Sequence, residues 1–237
     1  MAPCVQPHQF ADLYRRFDSP LSRFDCGKKC APLNGGEPVC CSTGHAIPIV
    51  DKAEFQLLKS RSDLWHRFRA KDAGQREVLK DMHPTCTAIE CKGAQFCERD
   101  NRTLACRSFP FFPYLTRKDE FVGLAYYWYF DDRCWVISNL GVVDRAFVRE
   151  FVDVYERLFV LDPEERESMR AESANARRVF SRRRQAIPLI GRDGGYFKVR
   201  RGGKIVPAKL SDFKKHGPFR SDRAYVRAVA EAQATRR

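Results

Sequence analysis

Several features that define common protein classes are missing from this chain. It contains no run of about 18 apolar residues, and its first ten residues lack the apolar core of an export signal. It also has no Walker-type phosphate loop, no G-x-G-x-x-G turn and no G-x-S-x-G nucleophile elbow. We therefore expect a cytoplasmic protein without a membrane span, whose chemistry does not come from any of these motifs.

Acidic residues are scarce in the last part of the chain. Residues 170–237 contain 19 Lys and Arg but only 5 Asp and Glu, whereas residues 1–169 contain 24 basic and 25 acidic residues. The formal net charge of +13 therefore comes entirely from the C-terminal segment. A basic segment of this size predicts contact with nucleic acid, an acidic protein or an anionic membrane surface, or else it is a solvated surface without a dedicated partner.

Aromatic residues alternate with the basic ones in part of this segment. Arg182–Arg184 and Arg200–Arg201 are interleaved with Tyr196, Phe197 and Phe213. Guanidinium groups suit phosphates and aromatic rings suit stacked bases. Nucleic-acid binding is therefore one hypothesis for the C-terminal half.

All ten cysteines lie at or before position 134, and none follows it. Structural disulfides are rare in a reducing compartment, so this density favours metal ligation. Cys4 stands apart near the N-terminus and is expected to be a free thiol. Cys134 is either a distal ligand or a core residue. The candidate metal ligands are Cys26, Cys30, Cys40, Cys41, Cys86, Cys91, Cys97, Cys106 and Cys134.

Two groups of cysteines have ligand-like spacing. The first group begins with the C-x3-C pair of Cys26 and Cys30 and ends with the Cys40–Cys41 doublet, and the second runs from Cys86 to Cys106. Short spacing lets one loop offer two or more thiolates to a single ion or cluster. Lys28 and Lys29 are expected to lower the pKa of the neighbouring thiols.

The second group contains a recognisable motif. The segment from Cys97 to Pro110, with Arg102, Cys106, Arg107 and Phe109 at matching positions, resembles the core motif of the YkgJ-type cysteine-cluster family. Cys86-Thr-Ala-Ile89 resembles the family's Cys-x-x-Leu element, and the opening cysteines resemble those of its CxxCxxCC pattern. The resemblance covers about residues 24–113. This chain departs from the pattern in its C-x3-C opening and in Thr103, which replaces a proline.

This resemblance implies binding of zinc or iron, and little more. Arg102 and Arg107 are expected to support the cofactor by hydrogen bonds to its sulfurs or to loop carbonyls. An iron–sulfur cluster, most simply 4Fe-4S, is our first interpretation, because thiolates from scattered loops are its usual ligands, and zinc is the alternative.

Three functions remain open at this point. The first is a metal-binding protein, such as a cluster carrier or assembly factor that serves a protein partner. The second is a protein-modifying enzyme, because flagellin lysine methylases contain a related cysteine cluster. The third is a nucleic-acid-binding protein with a structural metal site.

The pattern of apolar residues predicts an α+β fold with a cysteine-rich, loop-dominated core over residues 20–140. Residues 51–71 are expected to form a helix capped by Asp51 with Glu54 as its capping-box partner, and residues 83–113 a second loop. Residues 121–137 fit either a strand pair or, in their first half, a buried helix. The second segment, 141–237, is expected to hold helices over 144–160 and 163–184, a β-meander over 186–208 and a basic helix after Ser221.

Overall fold

The computed structural model describes residues 5–80 and 82–235, without the side chain of Val78, and Cys4 lies outside this range. The α-helices of the described chain are α1 (Pro7–Arg15), α2 (Gly27–Cys30), α3 (Lys52–Arg61), α4 (Ala73–Lys80), α5 (Leu104–Ser108), α6 (Arg145–Leu161), α7 (Pro163–Arg182) and α8 (Asp222–Ala234). Its 3-10 helices are Ala31–Leu33, Val39–Cys41, Ala94–Phe96, Arg99–Asn101, Trp128–Phe130, Leu140–Val142, Leu210–Asp212 and Gly217–Arg220.

Within the described residues, eight strands form two antiparallel sheets, so the predicted α+β class is confirmed. The strands are β1 (Ile49–Asp51), β2 (Trp65–Arg67), β3 (Cys86–Cys91), β4 (Phe111–Leu115), β5 (Phe121–Tyr126), β6 (Ile187–Gly191), β7 (Tyr196–Val199) and β8 (Ile205–Pro207). The small sheet has the order β1-β3-β2, and the large sheet has the order β4-β5-β6-β7-β8. The predicted meander is confirmed as the last three strands of the large sheet.

Side-chain caps set the starts of the long helices. Asp144 Oδ1 accepts a hydrogen bond from the Ala146 amide at the start of α6. Asp162 caps α7 in the same way, and Ser221 caps α8. The predicted helices over 144–160 and 163–184 and the final helix are therefore confirmed, with ends shifted by one or two residues.

The helix predicted over residues 51–71 is too long. Asp51 does cap α3, but the helix ends at Arg61, where the Ser62 hydroxyl accepts a hydrogen bond from the Leu64 amide and turns the chain. A side chain that bonds to nearby backbone in this way competes with the helix. The chain then continues as β2, whose Trp65 indole donates to the carbonyl of Asn101.

Glu54 is not the capping-box partner that the sequence suggested. Its carboxylate is buried and accepts hydrogen bonds from the Tyr14 hydroxyl and the Leu104 amide, each at 2.7 Å. It therefore joins α1, α3 and α5 in the interior.

Two further predictions need correction. Residues 83–113 are not one loop, because they contain β3, α5 and the start of β4. Residues 121–137 form one strand rather than a pair: β5 is the strand, and its partners are β4 and β6. The chain after β5 turns into the 3-10 helix 128–130, and Val136 and Ile137 are buried there as core residues.

The hydrophobic core lies between the large sheet and the helices α6 and α7. Phe147 and Phe151 on α6 pack against Phe17, and Phe111 of β4 packs against Phe147. Strands β4 and β5 come from residues before 140, and β6 to β8 come from residues after it. One sheet therefore spans the boundary that the sequence suggested between two domains.

None of the helices in the described residues is long and apolar enough to cross a membrane.

Candidate metal centre

The predicted ligands sit on short elements and turns that face one another. Cys26 caps α2 and Cys30 ends it, while Cys40 and Cys41 lie on the 3-10 helix 39–41. Cys91 ends β3, and the others follow in chain order as Cys97, Cys106 on α5, and Cys134. Thr103, which stands where the resembling family has proline, caps α5 by accepting a hydrogen bond from the Cys106 amide.

Eight thiols from these separate segments interact with one another. Cys30 raises the pKa of Cys26, and Cys41 acts in the same direction on Cys30, Cys91 and Cys106. Cys97 acts on Cys91, and Cys134 acts on Cys40. We call this group the eight-cysteine cluster: Cys26, Cys30, Cys40, Cys41, Cys91, Cys97, Cys106 and Cys134. None of the nine described cysteines forms a disulfide.

Within the cluster, the Sγ atoms of the Cys40–Cys41 doublet lie 3.9 Å apart. The hydrogen bond between them lowers the pKa of Cys41 to about 7 and raises that of Cys40. Cys41 is therefore the thiol that most readily ionises at neutral pH, and thiolates are the form that binds metals.

Burial acts on the other thiols in the opposite direction. It raises the pKa of Cys26 to about 11 and that of Cys106 to about 12, and it also raises the pKa of Cys134. The lysines of α2 do not counter this effect as the sequence suggested. Lys28 lies 4.0 Å from Asp25, and the Lys29 ammonium sits over the ring of Tyr225.

Arg102 supplies the positive charge that the lysines do not. Its Nε donates a hydrogen bond to Cys97 Sγ at 3.1 Å, and its charge lowers the pKa of Cys26 and Cys41. The thiols of Cys97, Cys106 and Cys40 in turn raise the pKa of Arg102, although burial opposes them. This guanidinium therefore lies among the sulfurs, where the sequence predicted a supporting residue.

Arg107 holds the surrounding loops instead. Its guanidinium donates to the carbonyls of Arg102 and Asp100 at 3.1 and 2.8 Å and also to that of Phe17. It stacks 4.6 Å from the centre of the Tyr14 ring. The sequence predicted that Arg107 bonds either to the cofactor's sulfurs or to loop carbonyls, and in the structure it contacts loop carbonyls.

Backbone amides also donate hydrogen bonds to three of the sulfurs. The amide of Val39 lowers the pKa of Cys30, that of Gly93 acts likewise on Cys91, and that of Ile137 on Cys134. Gly93 has a φ of 110°, a conformation that glycine adopts without strain.

Cys86 is the one described candidate that the structure does not bring to the cluster. It begins β3 and Cys91 ends it, so five steps of about 3.3 Å separate the two residues by roughly 16 Å. Its acidic neighbours are Asp51, Glu165 and Asp162, which raise its pKa together with burial. The sequence interpretation missed this separation because it took residues 83–113 for one cysteine-rich loop.

The C-terminal helix is a neighbour of the cluster that sequence reasoning missed. Tyr225 of α8 stacks on Phe219 and lies under Lys29, and its pKa is raised by burial and by Cys30. The contact joins residues almost 200 positions apart, and no local pattern in either segment signals it.

The described residues, 5–80 and 82–235, contain no group of three or more His, Cys, Asp or Glu side chains arranged to hold a metal ion as they stand. Comparisons with protein-family models, with curated proteins and with solved structures gave no match for this chain. The resemblance to the YkgJ-type family stays a prediction that depends on the residues between Cys26 and Pro110.

Proposed function

We propose that the eight-cysteine cluster binds a thiolate-ligated metal centre, with an iron–sulfur cluster as the first assignment and zinc as the alternative. One observation carries this proposal: thiols from distant parts of the chain converge around the guanidinium of Arg102. Thiols that only filled space would not need a half-buried cation among them.

The donor set fits such a group chemically. Several thiolates close together repel one another, and a metal centre relieves this repulsion because its cations offset the negative charge of the thiolates. Backbone amides at Cys30, Cys91 and Cys134 and the Arg102 guanidinium are the kind of donors that stabilise ligand sulfurs and adjust a reduction potential.

The spread of the thiols over separate segments of the chain favours an iron–sulfur cluster over a single zinc ion. A structural zinc site uses four ligands in a closed tetrahedron, whereas the interacting group here has eight thiols and includes an adjacent doublet. An iron–sulfur cluster also uses four thiolates. The remaining thiols then serve as alternative ligands during loading or transfer.

A carrier or assembly role is the biological function that we propose for this site. Cys134 and Cys30 are buried, but Cys97 is exposed and is held at the surface by Arg102. An accessible thiol next to buried ones allows a protein partner to exchange ligands with the bound centre. The alternative of a protein-modifying enzyme has no comparable observation in its favour.

Two cysteine substitutions test the proposal against a matched control. Cys106→Ser and Cys41→Ser are expected to lower the metal content of anaerobically purified protein by at least about half, since each removes a thiolate near Arg102. Cys86→Ser is the control, because Cys86 is partly buried like these two but lies outside the cluster. Equal metal loss in all three variants, or none in any of them, would argue against the proposal.

A further inference from the structure

A second feature of the molecule lies outside the cysteine cluster. Three exposed segments of the C-terminal half carry basic side chains: Arg182 and Arg184 at and just after the end of α7, Arg200 to Lys204 between β7 and β8, and Lys214–Lys215. These segments are separate in sequence, so their arrangement becomes visible only in the fold.

The strand register brings the first two segments together. Ile187 of β6 pairs with Val199 of β7, and Val199 pairs with Ile205 of β8. The chain that enters β6 from Arg184 and the turn that follows Arg200 therefore lie at the same end of the large sheet.

A chain of ion pairs brings the third segment to this end. Asp131 Oδ2 accepts a hydrogen bond from Arg183 at 2.6 Å and lies 3.8 Å from Nδ1 of His216. Lys214 and Lys215 directly precede His216. We call the resulting surface the basic end of the sheet, and its members are Arg182, Arg184, Arg200, Arg201, Lys204, Lys214 and Lys215.

Acidic residues do not neutralise this surface. Within the described part of the chain no ion pair involves any of its seven members, and the nearby Asp131 and Asp132 are already paired with Arg183 and Arg133. By contrast, Lys198 on β7 pairs with Asp212, and Arg192 pairs with Glu156. Of the twelve basic residues between 170 and 235 that make no ion pair, seven therefore belong to the basic end of the sheet.

The chemistry of the surface favours a phosphodiester backbone. Four of its members are arginines, whose planar donors match phosphate oxygens. Gly202 and Gly203 at the turn carry no side chains, and a Cβ at either position would meet nothing within 4 Å, so a backbone can approach closely. None of the large exposed apolar residues of the described chain lies in the three segments, although a membrane surface or a protein interface core requires such residues.

We propose that the basic end of the sheet binds nucleic acid through its phosphate backbone. The three aromatic residues that the sequence suggested as base-stacking partners are engaged within the protein. Tyr196 and Phe213 pack against each other with ring centres 5.9 Å apart, and the Phe197 ring packs over Gly191 at the opposite end of β6. Recognition therefore depends on charge and shape and not on base identity. The proposal does not depend on the metal centre.

Salt-dependent binding of labelled RNA and DNA tests this proposal. Fluorescence anisotropy of the full-length chain with single-stranded and duplex oligonucleotides of about 20 nucleotides is measured between about 50 and 200 mM NaCl. The logarithm of the binding constant is expected to fall linearly with the logarithm of salt concentration. The variant R200E/R201E/K204E should bind at least about tenfold more weakly and with a slope shallower by about 2 to 3, because each lost phosphate contact removes about 0.7–0.9.

A charge-matched variant provides the control. R67E/R69E/K71E makes the same change in net charge at exposed residues in and after β2, a strand of the small sheet, and should bind nearly as well as the parent. Circular dichroism confirms that both variants are folded. The proposal is overturned if no oligonucleotide binds, if both triple variants lose affinity equally, or if polyglutamate of matched length displaces the RNA as effectively as unlabelled RNA does.

Discussion

At the scale of single residues, the interior contains a carboxylate that its surroundings make pH-sensitive. Burial raises the pKa of Glu54 to about 7, although hydrogen bonds from Tyr14 and the Leu104 amide act in the opposite direction. The folded state therefore prefers the protonated acid more strongly than the unfolded chain does. The resulting stabilisation is fully present below about pH 4.5 and is lost as the pH rises through about 7.

The substitution Glu54→Gln tests this coupling. Glutamine keeps the acceptor for Tyr14 and Leu104 but cannot ionise. We expect wild type to lose roughly 3 kcal/mol of unfolding free energy relative to the variant between about pH 4.5 and 7.5. Urea unfolding of both chains across this range measures the difference, in which the contributions of groups that do not interact with Glu54 cancel. A constant difference at every pH would contradict the assignment.

The residue scale also shows what sequence alone can and cannot indicate about the site. Thiols, an arginine and their spacing were visible in the sequence, and electrostatic interactions connect eight of the nine described candidates. Cys86 was among the candidate ligands because the spacing of cysteines in the sequence does not show the direction in which the chain runs. The extended strand β3 places Cys86 at the opposite end from Cys91 and so outside the cluster. Arg102 and Arg107 were indistinguishable in the motif, yet only Arg102 contacts a sulfur.

At the scale of elements, the helices with a side-chain cap and a clear 3.6-residue pattern were predicted with nearly correct ends. The meander was predicted from its glycine turns. The first half of the chain was harder, because its strands have only three to six residues and its helices are stabilised by distant contacts. The ends of α3 illustrate this, since Asp51 marks the start in the sequence but nothing equally specific marks Arg61 as the end.

The pairing of strands β5 and β6 gives a prediction at the scale of elements. Gly123 pairs with Gly191 at a φ of 153°, and a Cβ at Gly123 would overlap the carbonyl oxygen of Ile190. Gly123→Ala must therefore push the two strands apart, and we expect a loss of about 2–4 kcal/mol in unfolding free energy. The control Gly44→Ala, at a residue without positive φ or close backbone neighbours, should change stability by less than about 1 kcal/mol.

Urea unfolding of both glycine variants makes this comparison. If Gly123→Ala were as stable as Gly44→Ala, the close approach of β5 and β6 would be wrong.

At the scale of the whole molecule, the large sheet links the two segments that the sequence separates near residue 140. Its strands β5 and β6 are hydrogen-bonded neighbours from opposite sides of that position. Helix α8 also returns to the loop that carries Cys30. These contacts pair residues far apart in the chain, and local patterns contain no information about such pairings.

The shared sheet predicts cooperative unfolding. All three tryptophans lie before residue 140, whereas the long helices α6, α7 and α8 lie after it. Tryptophan fluorescence therefore follows the chain before residue 140, whereas far-ultraviolet circular dichroism follows helices on both sides of it, and we expect the two urea transitions to coincide. Two separate transitions would show that the halves are independent domains.

The central claim is that the eight-cysteine cluster binds a metal centre. It is tested most directly by the visible absorption spectrum of the anaerobically purified wild-type chain, with iron, sulfide and zinc measured on the same sample. We predict a broad absorption band near ~400 nm, with iron and sulfide present in matched amounts. If the sample instead contains about one or two zinc ions per chain, the cluster still binds a metal centre, but the metal is zinc. A colourless protein without stoichiometric iron or zinc would contradict it.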